Sequence, residues 1–256
     1  LRRLIFMTIL SLTAMSVGAV AQSKDINLAK THVRFTDVEP VEWTARKPWQ
    51  YAVHGIDVAH FQNDIEWGKL RKSGVNFAFI KATEGGDFLD PRFGENWREA
   101  RRAGILRGAY HFYYFCRTAQ EQADWFIKNV PFDAGALPPV LDMEWTNSKT
   151  CKFRPSPARV RSEMRVYLKQ VSAHYGKRPV IYSTPKFYKE NKLWRVKGYD
   201  FWLRTVAKHP NQLYGNRPWT FWQYSSTGRL DGIEGNVDLN VFKGSAGAWK
   251  RWVAGQ

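Results

Sequence analysis

The sequence predicts an α/β chain closed as an irregular TIM-like barrel, five strand–helix units followed by three further strands, (β/α)5(β)3. From residue 51 to about residue 191, short apolar runs alternate with amphipathic helical stretches, the pattern of parallel βαβ units with right-handed crossovers. Beyond that point three more apolar runs follow, joined by Gly-, Asn- and Pro-rich connections without a clear amphipathic helix. The third observation is positional. Polar residues recur just after the apolar strand bodies, and barrels of this class place their sites at the C-terminal ends of the strands. A chain of 256 residues, 44% of them hydrophobic, is long enough for one such domain.

The first strand is expected around residues 51–60, where Asp57 lies on the face opposite Ile56 and Val58. A helix then runs over 64–72 and stops at Gly74. A buried strand over 77–80 leads into Lys81, Thr83 and Glu84. A helix over 93–102 and a strand over 107–113 follow. Thr118 is placed to cap a helix over 119–129, whose Ala123, Phe126 and Ile127 form an apolar stripe. Pro138 and Pro139 mark the start of the fourth strand. Pro157 opens a long helix to about residue 174, with Val160, Met164, Tyr167, Leu168 and Val171 at helical spacing. Residues 179–183 form the fifth strand, and 200–205, 219–224 and 235–241 the last three. Residues 22–50 lack a lasting period and read as a linker or an arm lying on the domain, which spans 51–256.

Residues 1–21 have the form of an export signal: Arg2 and Arg3, an apolar run to Val20, and a small-x-small site at Ala19-Val20-Ala21. This predicts a protein of the periplasm or the extracellular space, without stable membrane insertion after cleavage. In such a compartment Cys116 and Cys151 are expected to pair, the alternative being two separate buried thiols. The net charge of +16 suits an anionic matrix. Nucleic acid is not expected as a partner, because no zinc-finger spacing, RNA-binding aromatic signature or concentrated basic helix accompanies the charge. No His/Cys cluster has metal-ligand spacing, and no cofactor is expected.

The fourth strand carries the chemistry. Side chains alternate along a strand, so Val140, Asp142 and Glu144 share one face, with the two acids about 6–7 Å apart. Like charges this close in a partly dry site push one pKa up and leave the other group ionised. A carboxylic acid beside a carboxylate is what glycoside hydrolysis requires. Asp57 and Asp238 stand at the same end of two other strands. Tyr110, Tyr182, Trp222 and Gln223 are candidates for sugar stacking and hydrogen bonding, while His111 reads as structural.

Several motifs occur in order: Gly55-Ile56-Asp57-Val58, Phe79-Ile80-Lys81-Ala82-Thr83-Glu84-Gly85, Gly108-Ala109-Tyr110-His111-Phe112 and Leu141-Asp142-Met143-Glu144. Trp222-Gln223-Tyr224-Ser225-Ser226-Thr227-Gly228 and Gly232-Ile233-Glu234-Gly235-Asn236-Val237-Asp238-Leu239-Asn240 follow. Over residues 51–242 the chain thereby resembles glycoside hydrolase family 25, the lysozymes also called Chalaropsis-type muramidases. The resemblance implies a barrel of five regular units and three further strands. It implies hydrolysis of the β-1,4 bond between N-acetylmuramic acid and N-acetylglucosamine in peptidoglycan glycan strands, by a monomer. Glu144 matches the family's presumed general acid. Asp142 matches the carboxylate beside it, acting as nucleophile or as partner to the substrate's N-acetyl group. Asp57 and Asp238 match the supporting acids. Ala59 departs from the Ser that members often carry after the strand valine, which bears on substrate contacts more than on chemistry. A chitinase-like or glucosaminidase barrel enzyme and a non-catalytic peptidoglycan-binding module are the competing expectations.

Overall fold

The computed structural model describes Leu28 and residues 35–146, 148–215 and 217–256. The export-signal segment lies outside the described residues. The elements are β1 (Thr36–Asp37), β2 (His54–Val58), α1 (Trp67–Lys72), β3 (Val75–Glu84), β4 (Phe88–Leu89), α2 (Phe93–Arg102), β5 (Leu106–Phe112) and α3 (Ala119–Asn129). They continue as β6 (Val140–Met143), α4 (Pro157–Tyr175), β7 (Val180–Ser183), α5 (Pro185–Glu190), β8 (Phe201–Arg204), α6 (Pro210–Leu213), β9 (Phe221–Arg229), β10 (Val237–Phe242) and α7 (Ala246–Ala254).

Eight strands close the barrel in the order β2-β3-β5-β6-β7-β8-β9-β10 and back to β2. Neighbours from β2 to β9 pair in parallel, whereas β10 is antiparallel to both β9 and β2. The reversal has a simple cause: only seven residues separate β9 from β10, too few for the crossover a parallel partner needs. The helices that begin α3 and α4 are fixed by their own sequence. Thr118 Oγ1 accepts from Glu121 N at 3.2 Å while Thr118 N donates to Glu121 Oε2 at 2.9 Å, and Ser156 caps α4 ahead of Pro157.

The two faces of each strand go to two cores. Outward residues such as Ile56, Val58, Ala78, Ile80, Leu141 and Leu203 pack against the helices. Inward residues Phe77, Phe79, Val140, Val180, Trp202 and Phe221 fill the barrel. The end opposite the acids is closed by α7, an element the sequence reading leaves without assignment. Its Trp249 is fully buried, with ring centroids 5.4 Å from Phe77 and 5.1 Å from Phe242. Two inward glycines make room for the large rings: a Cβ on Gly55 would meet the Phe77 ring at 2.5 Å, and one on Gly108 would meet Phe79 at 3.0 Å. Gly55→Ala is therefore expected to overpack the interior and cost about 1–3 kcal/mol, read as a lowered midpoint in thermal unfolding.

The arm lies on the barrel. Thr36 and Asp37 pair with Arg229 and Gly228 of β9, and Trp43 packs edge-on to Trp222 at 5.0 Å. It covers the outside of β9, where no long helix is available. A disulfide joins Cys116, in the β5–α3 loop, to Cys151, in the β6–α4 loop, with the Cα atoms 5.7 Å apart.

Candidate active site

Strand parity decides which side chains meet at the C-terminal ends of the parallel strands. In β2 Asp57 shares the inward face with Gly55, and in β6 Asp142 shares it with Val140. Asp238 enters from β10 directly opposite Asp57, and Asp142 lies beside Tyr182 of β7. Glu144 follows one residue past the end of β6 and is half-buried in the same cluster, where its charge acts on Asp142, Tyr182 and Asp238.

Asp57 is held by a network of amides. Its Oδ2 accepts from Asn240 Nδ2 at 2.7 Å and from Gln223 Nε2 at 2.9 Å. Those amides are themselves oriented: Trp202 Nε1 donates to Asn240 Oδ1 at 2.7 Å, and the Tyr182 hydroxyl donates to Gln223 Oε1 at 2.9 Å. Asp142 stands differently. Its Oδ1 is buried and has no hydrogen-bond partner among the described residues. Lys81 and Arg204 are the cations whose charge reaches the cluster, and Lys81 Nζ also bonds Glu84 Oε2 at 2.5 Å.

Burial raises the pKa of all four acids. Asp57 rises to about 6, opposed by its two amide donors and by Arg204. Glu144 rises to about 7, opposed chiefly by Arg204. Asp142 goes well above the carboxylate range through burial and then the nearby Glu144 charge, and Asp238 likewise through burial and then Asp57. Burial is the largest cause in each case; Lys81 opposes the shift of Asp142 and Arg204 that of Glu144, so both carboxyls are pushed towards the protonated form.

Tyr110, Tyr182 and Gln223 all face this cluster, and the charges of Asp57 and Asp142 act on both tyrosines. Trp222 does not. Its ring is fully buried on the outer side of β9 among Trp43, Tyr51, His209 and Trp219, with Nε1 donating to Thr205 O at 2.9 Å. Gln223 faces inward, so its neighbour Trp222 must face out, and the substrate-binding expectation for it is withdrawn. His111 is buried on the outer side too, bonded to Thr83 Oγ1 and Gln122 Oε1 and stacked on Tyr167. Asn240 and Trp202 were missed by sequence reasoning. The signal was present for Asn240, two residues from Asp238 on the same strand face.

A cavity of about 780 Å³ lies at the other end of the barrel, among residues such as Lys177, Asp200 and Thr220 that precede strands. Size does not make it the site, because none of the raised acids is there. A smaller groove of about 430 Å³ opens beside Glu144 and Trp145.

The family profile described as glycosyl hydrolases family 25 matches residues 56–233, which include Asp57, Asp142 and Glu144. The chain belongs to glycosyl hydrolase family 25. It is 38% identical to Lysozyme M1 of Streptomyces globisporus over 202 residues, covering 76% of this chain and 69% of that one. It is also 38% identical to the YegX protein of Escherichia coli K12 over 236 residues, 88% of this chain and 82% of that one. A family 25 glycosyl hydrolase structure from Bacillus anthracis superposes with a TM-score of 0.72 at 39% identity, covering 79% of this chain and 94% of that one. This family 25 chain is a glycoside hydrolase of the lysozyme group, and peptidoglycan is the substrate class of that group.

Proposed function

We propose that the chain is a muramidase, cleaving the β-1,4 bond between N-acetylmuramic acid and N-acetylglucosamine with retention of configuration. The observation that carries this is the cluster of four acids at the strand ends, Asp57 and Asp142 buried and Glu144 and Asp238 half-buried, with Glu144 raised to about 7 beside an Asp142 whose Oδ1 lacks a partner among the described residues. Glu144 donates its proton to the leaving glycosidic oxygen. The acetamido N–H of the sugar donates to Asp142 Oδ1. Accepting that bond favours the ionised carboxylate, so substrate binding drives the proton off Asp142. The acetyl oxygen then attacks the anomeric carbon, and Asp142 stabilises the resulting oxazolinium ion. Water, deprotonated by the Glu144 carboxylate, opens it. Direct attack by Asp142 would give the same configuration through a covalent intermediate, but it leaves the unpartnered Oδ1 unexplained. Asp57 and Asp238 supply supporting negative charge, and Tyr110, Tyr182 and Gln223 line the sugar site. The pattern of residues 1–21 supports action in the periplasm or outside the cell, as a monomer.

Arg204 opposes the rise of Glu144, so Arg204→Gln is expected to push the acid's pKa higher. The alkaline limb of the kcat/KM–pH profile should then move up from about pH 7. A limb that stays in place, or moves down, would remove Glu144 as the titrating acid. The hydrolytic reading itself is tested on purified insoluble peptidoglycan. Muropeptides should pass into solution with time; folded protein that sediments with the wall and releases nothing would instead support a binding module.

A further inference from the structure

The groove beside Glu144 carries charge that the hydrolytic reaction does not use. It is lined by Glu144, Trp145 and Arg154 from the β6–α4 segment and by Thr184, Lys186 and Glu190 from the start and length of α5. Arg154 is held in place rather than trailing in solvent. Its guanidinium lies over the Trp145 ring, 4.7 Å from the centroid, and Nη2 donates to Thr146 O at 2.6 Å. Trp145 is pinned in turn, because Nε1 donates to Glu190 Oε2 at 2.5 Å and the ring packs on Phe187 at 4.6 Å. The segment that presents Arg154 is tethered three residues upstream by the Cys116–Cys151 bridge. Nη1 also donates to Phe153 O at 3.3 Å, and a stacked guanidinium held by two backbone carbonyls keeps further N–H groups with which to receive a planar anion. Lys186 is exposed on the first turn of α5 and adds a second cation, against the carboxyl groups of Glu190 and Glu144.

We infer that this groove binds a carboxylate carried by the muramyl residue of the wall strand, with Arg154 as the bidentate partner and Lys186 as a second charge. The inference rests on the peptidoglycan reading. The sugars of that strand are otherwise neutral, and its carboxylates hang from the muramyl ring: the lactyl carboxylate where the peptide has been removed, and stem-peptide carboxylates where it has not. The groove adjoins the residue that protonates the bond to that ring, so a substituent of the same ring falls within its reach. Arg154 and Lys186 are thereby specificity-determining residues, and neither takes part in bond cleavage.

The test is equilibrium binding of soluble wall fragments to Glu144→Gln protein, with and without Arg154→Gln and Lys186→Gln. Three fragments are compared: strands with stem peptides, amidase-stripped strands with free lactyl carboxylates, and stripped strands whose carboxylates are converted to methylamides. The unaltered groove is expected to prefer stripped over methylamidated strands by about tenfold, consistent with a charge-assisted pair. The preference should fall towards one in the double variant, and by an intermediate amount with Lys186→Gln alone. Equal binding of all three strands, or a preference that survives the double substitution, would overturn the inference. Tighter binding of peptide-bearing than of stripped strands assigns the groove to stem-peptide carboxylates, and the reverse assigns it to the lactyl group. These ratios are read without turnover. A wild-type protein that releases nothing from the wall therefore refutes the hydrolytic reading separately.

Discussion

Glu144→Gln is expected to lower kcat on peptidoglycan by about 10³-fold or more, since it removes the proton donor and leaves the rest of the cluster in place. The same substitution should stabilise the fold. Glu144 has a folded pKa of about 7 against an ordinary 4.5. Below pH 4.5 it is protonated both folded and unfolded, and its burial costs little. Between 4.5 and 7 the unfolded chain releases the proton first, so stability falls as pH rises. Above pH 7 the cost of the buried charge is fully present, roughly 2–3 kcal/mol. The amide carries no such cost, so the variant's melting temperature should exceed the wild type's by about 4–10 °C at pH 8. That gain should vanish at pH 4. An active variant would displace Glu144 from its role, and a melting temperature that is lower at pH 8 would contradict the electrostatic account.

Removing the disulfide with Cys116→Ser and Cys151→Ser should destabilise the protein by about 3–4 kcal/mol. The bridge closes a segment with a sequence separation of 35, including all of α3 and β6. The corresponding fall in melting temperature is about 8–15 °C. Asp57, Asp142 and Asp238 are carried by strands β2, β6 and β10, and Glu144 stands at the strand end of the β6–α4 loop, seven residues before Cys151. Turnover well below the melting temperature should therefore persist, and the loss should be read in thermal unfolding monitored by circular dichroism. A double variant that melts with the wild type would mean the bridge does not form in the folded protein.

The barrel was legible because its strands and helices differ in period. Phe77 to Ile80 and Val180 to Ser183 are short apolar runs bounded by turn residues, and α4 repeats its apolar side chains at helical spacing. The acids were legible for the same reason, since strand parity puts Asp142 with Val140 and Asp57 opposite Ile56 and Val58. Parity also held the answer for Trp222, which cannot share a face with Gln223. What local pattern could not supply was depth. The raised pKa values of Asp142 and Glu144 depend on how far each carboxyl lies from water and on the reach of Lys81 from β3 and Arg204 from β8. The plugging of the barrel by Trp249 was equally invisible. It depends on Gly55 leaving room for Phe77 and on both rings meeting residues distant in sequence.

The central claim is that this buried acid cluster cuts on the reducing side of muramic acid. A digest of purified peptidoglycan, reduced with borohydride and analysed by mass, tests it most directly. Fragments ending in reduced N-acetylmuramic acid are the predicted result. Fragments ending in reduced N-acetylglucosamine would keep the barrel and its acids but contradict the muramidase assignment.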